Sequence, residues 1–399
     1  MVSTDNASAL EGLTVLDFTQ AMLGPGATSV LADFGADVIK VERPRSGDLS
    51  RWAITDDPAG GNNPAFASTN RNKRSIAVDL ASDEGKEVIF RLLERSDVVV
   101  NNFRPSVMTR LGLGYEQLSE RFPRLIYGYA SGFGSSGPYS HKGGQDILAQ
   151  AMTGVMMRKS DPRHPLAIYA TCLADYTGAM HLAQAIMLAL LARERTGRGQ
   201  FLEVSLHDSM LGMQAQEAAM ALMRGVDLNW GAMPLSLVVE TADAPLVLVG
   251  AFRREPLRDV CAAIGAPDLS KDERFDTPEK FRANGFELRD VLQEIFLTQD
   301  RAYWLKRLEE ADLLCAPVLS LDEALDGPQT QHNEMVWRSE ARDGVEAQAL
   351  LAPPLHLSDT PATLRYPSPD LGQHTDDVLM EAGFTAEEVA RLREIGAVS

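Results

Sequence analysis

The sequence predicts an α/β protein built on a parallel sheet, followed by a smaller α+β unit. Three observations lead there. The first 135 residues alternate short apolar runs with helical patterns, the mark of βαβ units. One run, Asp97-Val98-Val99-Val100, carries an unbroken β-branched stretch, as a strand buried on both faces requires. At 399 residues the chain exceeds one typical core, so two domains are expected.

Leu13 to Phe18 is a short apolar strand. Gly24-Pro25-Gly26 reads as a turn, Ala27 to Phe34 has helical spacing, and Asp37 to Val41 is the next strand. That βαβ unit implies a right-handed crossover. Ser75 to Leu80 is a further strand. Ser82 is placed to cap a helix that runs to about Arg95. After the strand at Asp97, a helix spans Tyr115 to Arg121. The strand Leu125 to Tyr129 follows and ends in the glycine-rich Ser131 to Pro138.

The apolar run Ala179 to Ala192 reads as a buried central helix. It is too short for a membrane span and contains His181 and Gln184. Phe201 to Met223 reads as a strand and one long Met- and Ala-rich helix, whose methionines are core packing. The smaller unit has a strand at Pro245 to Val249 and helices at Glu255–Ile264, Phe286–Phe296 and Arg301–Glu310. Pro353, Pro354, Pro361 and Pro367 mark an extended stretch. The amphipathic helices Asp376 to Gly383 and Ala386 to Ile395 close the chain.

A net charge of −18 argues against a general nucleic-acid binder and against attraction to anionic membranes. The three cysteines, Cys172, Cys261 and Cys315, are far apart and odd in number. They show no disulfide or zinc spacing, so a reducing cytoplasm is expected. Met1 to Asn6 is polar, and no secretory leader is expected from it. None of the seven histidines has metal-ligand spacing with another, and no metal site is expected.

Ligands of a doubly wound sheet bind beyond the carboxyl ends of its strands. The segments there are Thr19 to Gly26, Arg43 and its neighbours, Asn101 to Arg104, and Ser131 to Gly137. Their small residues, amides and arginines suit a polyanion. Arg43, Arg71, Lys73, Arg74, Arg104 and Arg110 form local positive clusters in a strongly negative chain, which points to phosphate. A nicotinamide dehydrogenase fits poorly, because Gln20 to Gly26 is not G-x-G-x-x-G. A P-loop and a G-x-S-x-G elbow are absent. Asp175 precedes the apolar run at 179–192, at a predicted helix N-terminus. It is read there either as a cap or as a carboxylate nucleophile.

Several motifs then recur in a fixed order. They include Leu31-Ala32-Asp33-Phe34-Gly35-Ala36-Asp37-Val38-Ile39-Lys40-Val41-Glu42-Arg43-Pro44, Asn70-Arg71-Asn72-Lys73-Arg74-Ser75 and Asn102-Phe103-Arg104-Pro105. Ser131-Gly132-Phe133-Gly134, Arg193-Glu194-Arg195-Thr196-Gly197-Arg198-Gly199-Gln200, Cys315-Ala316-Pro317-Val318 and Leu371-Gly372-Gln373-His374-Thr375 follow. Over nearly its full length the chain resembles the class III coenzyme A-transferases. That family includes formyl-CoA transferase and carnitine CoA-transferase, and its superfamily includes alpha-methylacyl-CoA racemase.

The resemblance implies a large Rossmann-like domain with a parallel sheet, a smaller inserted α+β domain and an interlocked homodimer. The expected division is 1–200 for the large domain, 201–224 for a linker helix, 225–330 for the small domain and 331–399 for a C-terminal return. It implies no permanently bound cofactor, with coenzyme A or acyl-CoA as substrate beside a small carboxylic acid. Asp175 takes the place of the family's nucleophile, and Asp146 that of an orienting acid. The CoA contacts fall on Ala21, Met22, Arg43, Val78, Asp79, Asn102, Phe103, Arg104, Arg110 and Lys142. Backbone N–H groups near Gly143 and Gly144 are candidates for holding an oxyanion.

The implied reaction is movement of CoA from a donor, with succinyl-CoA the first choice, to an acid acceptor through aspartyl anhydride and thioester intermediates. The racemase branch needs a second acid–base group, a His before the Asp of Gly-His-Asp. Here the triplet is Gly144-Gln145-Asp146, and an amide does not shuttle protons at pH 7. That substitution favours transferase over racemase, and a non-catalytic acyl-CoA binder is the third reading. Leu248 to Arg254 lacks the glycine run of the oxalate branch. Arg253 or Arg254 is a candidate partner for a dicarboxylic acid.

Overall fold

Six strands form one parallel sheet in the order β3-β2-β1-β4-β5-β6. They are β1 (Thr14–Asp17), β2 (Asp37–Glu42), β3 (Lys73–Ala77), β4 (Val98–Asn101), β5 (Ile126–Ser131) and β6 (Phe201–Ser205). The order reverses between β1 and β4, which creates the crevice where ligands of such sheets bind. The computed structural model describes residues 8–52, 63–250, 252–340 and 347–399. The polar stretch Met1 to Asn6 and Ala251 of the glycine-run comparison lie outside the described residues.

Between the strands run α1 (Leu23–Asp33), α2 (Pro64–Asn70), α3 (Asp83–Leu93), α4 (Val107–Arg110), α5 (Tyr115–Arg121), α6 (Asp146–Met152) and α7 (Leu173–Thr196). α8 (Leu206–Met213) follows β6. Ser82 caps α3 by accepting the N–H of Gly85 at 3.0 Å, as its sequence position predicts. The Gly24-Pro25-Gly26 stretch is not a separate turn but the first turn of α1. Pro25 is tolerated there because N–H groups of a first turn have no intrahelical partner. The predicted single helix after β6 is two helices broken at Gln214. α2 and α6 were not foreseen. Both have only 7 residues, too few to show a periodic stripe.

The chain divides into two compact units. One comprises Met1–Thr153, Tyr169–Met213 and Gln329–Ser399, and the other Gly154–Ile168 and Gln214–Pro328. The second unit thus also takes an excursion from the segment between α6 and α7. It contains α9 (Ala215–Arg224) and an antiparallel sheet, β7 (Ser236–Val239), β8 (Leu246–Val249) and β9 (Leu314–Pro317). Helices α10 (Pro256–Ile264), α11 (Pro278–Ala283), α12 (Gly285–Phe296), α13 (Arg301–Glu310) and α14 (Leu321–Leu325) complete it. Leu237, Leu246, Leu248, Val260, Leu292, Phe296 and Leu308 form its core.

The returning chain carries α15 (Pro328–His332), a hairpin of β10 (Val336–Arg338) and β11 (Ala349–Leu351), and then α16 (Thr375–Glu381) and α17 (Ala386–Glu394). From Ala352 to Asp370 it has no helix or strand, as its prolines predict. This tail closes the free edge of β3. Ser399 N–H donates to the Ala77 carbonyl at 3.0 Å, Asp79 N–H to Ala397, and His374 N–H to Ser75. Val378, Leu379, Val389 and Leu392 join Leu16, Ile39, Ile76 and Val88 in the core on that face.

Candidate active site

Asp175 lies in the first turn of α7. It is the third helical residue, not the cap; Cys172 holds the cap position without a side-chain hydrogen bond. The Asp-x-Thr-Gly pattern has a packing cause. Gly178 is buried, and a Cβ there would meet Leu23 Cδ1 of α1 at 2.8 Å. A Cβ on Gly26 would likewise stand 3.1 Å from that of Ala179. Glycines at this crossing bring the N-terminal turn of α1 against that of α7.

The cap is supplied by Asp146, the first residue of α6. Its Oδ2 accepts the N–H groups of Ala174 at 2.6 Å and Asp175 at 3.0 Å. Its Oδ1 accepts from Gln150 Nε2 at 2.6 Å. Asp146 therefore fixes the backbone that carries Asp175 and leaves the Asp175 side chain free. Among the described residues the Asp175 carboxylate accepts no hydrogen bond. Burial, and then the nearby charge of Asp146, push its pKa up from 3.8 to about 6. The α7 dipole acts the other way and favours the anion. At pH 7 the group is mostly ionised, with neither oxygen engaged, which is what a carboxylate nucleophile needs.

Gly143 and Gly144 lead directly into the α6 segment that reaches Asp175. Gly144 crosses the loop after β5 at Gly132, and a Cβ on either would approach the other's Cα to 2.4 Å. Only two glycines permit this backbone contact. The N–H groups of Gly143 and Gly144 donate to no other described residue, so both are available to a ligand oxygen.

The six basic residues that the sequence groups together divide into two sets. Arg71, Lys73 and Arg74 are structural, which corrects the phosphate reading for them. Arg71 is buried and forms a forked pair with Asp33 at 2.5 and 3.0 Å. Lys73 is fully buried, with its Nζ on Asp17, Thr28, Asn70 and the Pro25 carbonyl. Arg74 spans Asp37 and Glu381. Arg43, Arg104 and Arg110 are exposed and make no ion pair among the described residues. Arg104 Nη2 points toward Gly143, 3.8 Å from where a Cβ would stand. It also lines a cleft of about 480 Å³ with Ser106, Thr109, Tyr115, Tyr129 and Phe201. Lys142 is exposed, its Nζ 4.1 Å from the centre of the Tyr139 ring.

The loops beyond β1 and β4 are bound to each other. Asn102 Oδ1 accepts Gln20 N–H at 2.9 Å, and its Nδ2 donates to the Gln20 carbonyl at 2.8 Å. Ala21 sits in the left-handed region at φ 66°, held by its N–H to Asp48 Oδ1 at 3.1 Å. Met22 caps α1. Asp48 also pairs with the fully buried Lys40 at 2.8 Å, and Lys40 donates to the Thr19 carbonyl. Phe103 packs against the core. Val78 is 1% exposed and its N–H donates to the Glu42 carbonyl at 2.9 Å, so neither its side chain nor its N–H is available to a ligand, while Asp79 is partly exposed. In the second unit Arg253 is committed to Asp259 at 3.0 Å and to the Asp312 carbonyl at 2.7 Å. Arg254 is exposed.

Sequence reading missed Gln150, Lys40 and Asp48. Gln150 stands four residues after Asp146, a helical spacing, but the short α6 concealed it. Lys40 and Asp48 sit inside or beside recognised motifs, yet no local pattern shows that they meet.

The chain is similar to known proteins over most of its length. The pattern of CoA-transferase family III matches residues 10–375. The chain is 36% identical to the acetyl-CoA:oxalate CoA-transferase of Acetobacter aceti, over 82% of this chain and 85% of that protein. It is 34% identical to the succinyl-CoA:glutarate CoA-transferase of Mus musculus, over 94% and 87%. The crystal structure of a CAIB/BAIF family protein from Brucella suis superposes with a TM-score of 0.84 at 30% identity, over 95% of this chain and all of that one.

Proposed function

The chain belongs to CoA-transferase family III and is a transferase acting on CoA thioesters; on that premise we propose that it moves CoA from succinyl-CoA to a short dicarboxylic acid through covalent intermediates on Asp175. The observation that carries this reading is the unengaged Asp175 carboxylate on a helix turn whose cap is supplied by Asp146. Both relatives are named for dicarboxylic acids, glutarate and oxalate, which supports that acceptor class.

In the first step an Asp175 oxygen attacks the thioester carbonyl and the C–S bond breaks. The products are a mixed anhydride and CoA thiolate. The thiolate then attacks the aspartyl carbonyl, releasing the donor acid as a carboxylate and leaving an aspartyl-CoA thioester. The acceptor carboxylate attacks that thioester and expels CoA thiolate again. Finally the thiolate attacks the acceptor's carbonyl in the new anhydride, which frees Asp175 and the product thioester. No net proton is taken up. One thioester and one carboxylate are exchanged for another pair, so the site's task is to position partners and keep water from the anhydrides. The N–H groups of Gly143 and Gly144 serve the oxyanions of these steps.

Arg104, Arg43, Arg110 and Lys142 are exposed cations that we assign to the CoA phosphates, with Ala21, Met22, Asp79 and Phe103 as further contacts. Asn102 contributes by holding the Gln20 loop. Arg253 is committed to Asp259 and to the Asp312 carbonyl, so it is not assigned to the acceptor's second carboxylate. The racemase reading lacks its second base, because Gln145 is an amide at the N-cap of α6.

We also infer a homodimer. α9 has no buried residue, with Leu222 87% and Met223 73% exposed. α7 reads as a buried helix, yet Leu188 is 66% and Leu191 55% exposed in the single chain. A second copy is the cover proposed for these faces. A reducing cytoplasm suits the three free thiols.

The test is a panel of CoA esters and carboxylic acids analysed by mass spectrometry. Wild type should form new CoA esters, most readily from succinyl-CoA, and Asp175→Ala should form none while still binding CoA. Transfer surviving in Asp175→Ala would contradict the assignment. So would α-deuterium uptake by a 2-methylacyl-CoA in deuterated water.

A further inference from the structure

Gln150 is fully buried, and its amide is spent on a single junction. Nε2 donates to Asp146 Oδ1 at 2.6 Å and faces the carbonyls of Tyr169 at 3.3 Å and Thr171 at 3.5 Å. Oε1 accepts the N–H of Tyr169 at 3.1 Å. The surroundings fix which end is which. A flipped amide would set its oxygen against a carboxylate and two carbonyls, and its NH₂ against an N–H. The Asp146 oxygen not held by Gln150 takes the two N–H groups of Ala174 and Asp175. A continuous set of bonds thus runs from α6 through one carboxylate to the turn that carries Asp175. The same amide pins the strand of chain at 169–171, which has no regular structure and leads into α7.

We propose that Gln150 is a positioning residue for the transferase reaction: it holds Asp146 and the 169–171 segment so that α7 presents Asp175 to the thioester. The inference rests on Asp175 being the nucleophile. Gln150 touches neither CoA nor the acids. Its loss acts on the rate of aspartyl-adduct formation and not on CoA binding. A misplacement of about 1 Å at a reacting group reduces rate on the order of 100-fold.

The experiment measures adduct formation at Asp175 with succinyl-CoA, by rapid quench and mass spectrometry, and CoA binding by titration. It compares wild type with Asp175→Ala, Gln150→Leu and Gln150→Glu. Gln150→Leu should slow adduct formation about 10- to 100-fold with CoA affinity within about twofold of wild type.

Gln150→Glu keeps the volume and adds a readout that a purely structural role would not move. As a carboxylate, the new side chain repels Asp146 and faces two carbonyls. Once protonated, it donates to Asp146 as the amide does. Asp146 is the charged group bonded to Gln150; Asp175 and Cys172 lie close to Asp146, Tyr169 meets the amide through its backbone, and α8, packed against α6, carries His207 and Asp208. Wild-type rate should fall on acidification through about pH 6, where Asp175 takes up its proton. The Gln150→Glu rate should instead rise as pH is lowered from 8 toward 6 before Asp175 titrates. Wild-type rates in both variants, or a Gln150→Glu profile parallel to wild type, would overturn the proposal. An absence of any wild-type adduct at Asp175 would instead overturn the nucleophile assignment beneath it.

Discussion

An Asp175→Asn chain should be more stable than wild type at pH 7.5. The folded carboxyl has a pKa of about 6 against 3.8 for the unfolded chain, so the folded state binds the proton more tightly. Through this group, folding is favoured below about pH 4, and that contribution is lost as pH rises through about 6. Removing the charge therefore stabilises the chain above pH 6 and has no effect through this route below pH 4. The gain is on the order of 1–2 kcal/mol, after allowance for the group's partial exposure. Paired thermal melts at pH 4 and 7.5 measure it, and equal differences at both values would contradict it. Asp146→Ala should act oppositely, removing the cap on α7 and lowering stability by about 1–2 kcal/mol. At this scale the resemblance named Asp175 and Asp146, which the fold brings together, while the cap considered for Asp175 falls instead to Asp146. The bonds from Asp146 reach 28 and 29 residues along the chain, and no local pattern encodes that distance.

The elements of the sheet were legible because β1 and β4 sit in short apolar runs between turn signals, and β2 in one interrupted only by Lys40. What stayed hidden was charge pairing across strands. Arg71, Lys73 and Arg74 read as a phosphate cluster because their neutralising partners lie elsewhere. Asp33, Asp17 and Asp37 precede them by 38, 56 and 37 residues, and Glu381 follows Arg74 by 307. Lys73 pins the start of α1 through the Pro25 carbonyl and Thr28. Lys73→Met should thus cost about 3–5 kcal/mol by leaving the Asp17 carboxylate buried without its partner. Urea unfolding tests this, and a change under 1 kcal/mol would contradict it. Gly132→Ala should destabilise by about 1–3 kcal/mol, because its Cβ would meet the backbone of Gly144 and not a movable side chain. Gly12→Ala is a poor control for it, since φ there is 80°.

At the scale of the molecule the returning C-terminal chain closes the β3 edge; its prolines foretold an extended stretch and its end an amphipathic helix pair, but not the strand they would cover. The exposed apolar face of α7 was not foreseen. Its middle, Ala179 to Ala192, is apolar but for His181 and Gln184, and a helix apolar on nearly every side is expected to be covered. In solution the protein should sediment at twice the 43.5 kDa chain mass. Leu188→Glu with Leu191→Glu should weaken that assembly, whereas a wild-type monomer at micromolar concentration would contradict the dimer. No helix among the described residues is long and apolar enough to cross a membrane.

The nucleophile is tested most directly by trapping. Wild-type protein incubated with succinyl-CoA and then hydroxylamine should yield a hydroxamate on the peptide that carries Asp175. The same treatment of Asp175→Asn should yield none. An unmodified Asp175 in wild type that still transfers CoA, or a hydroxamate at another carboxylate, would contradict a covalent route through Asp175.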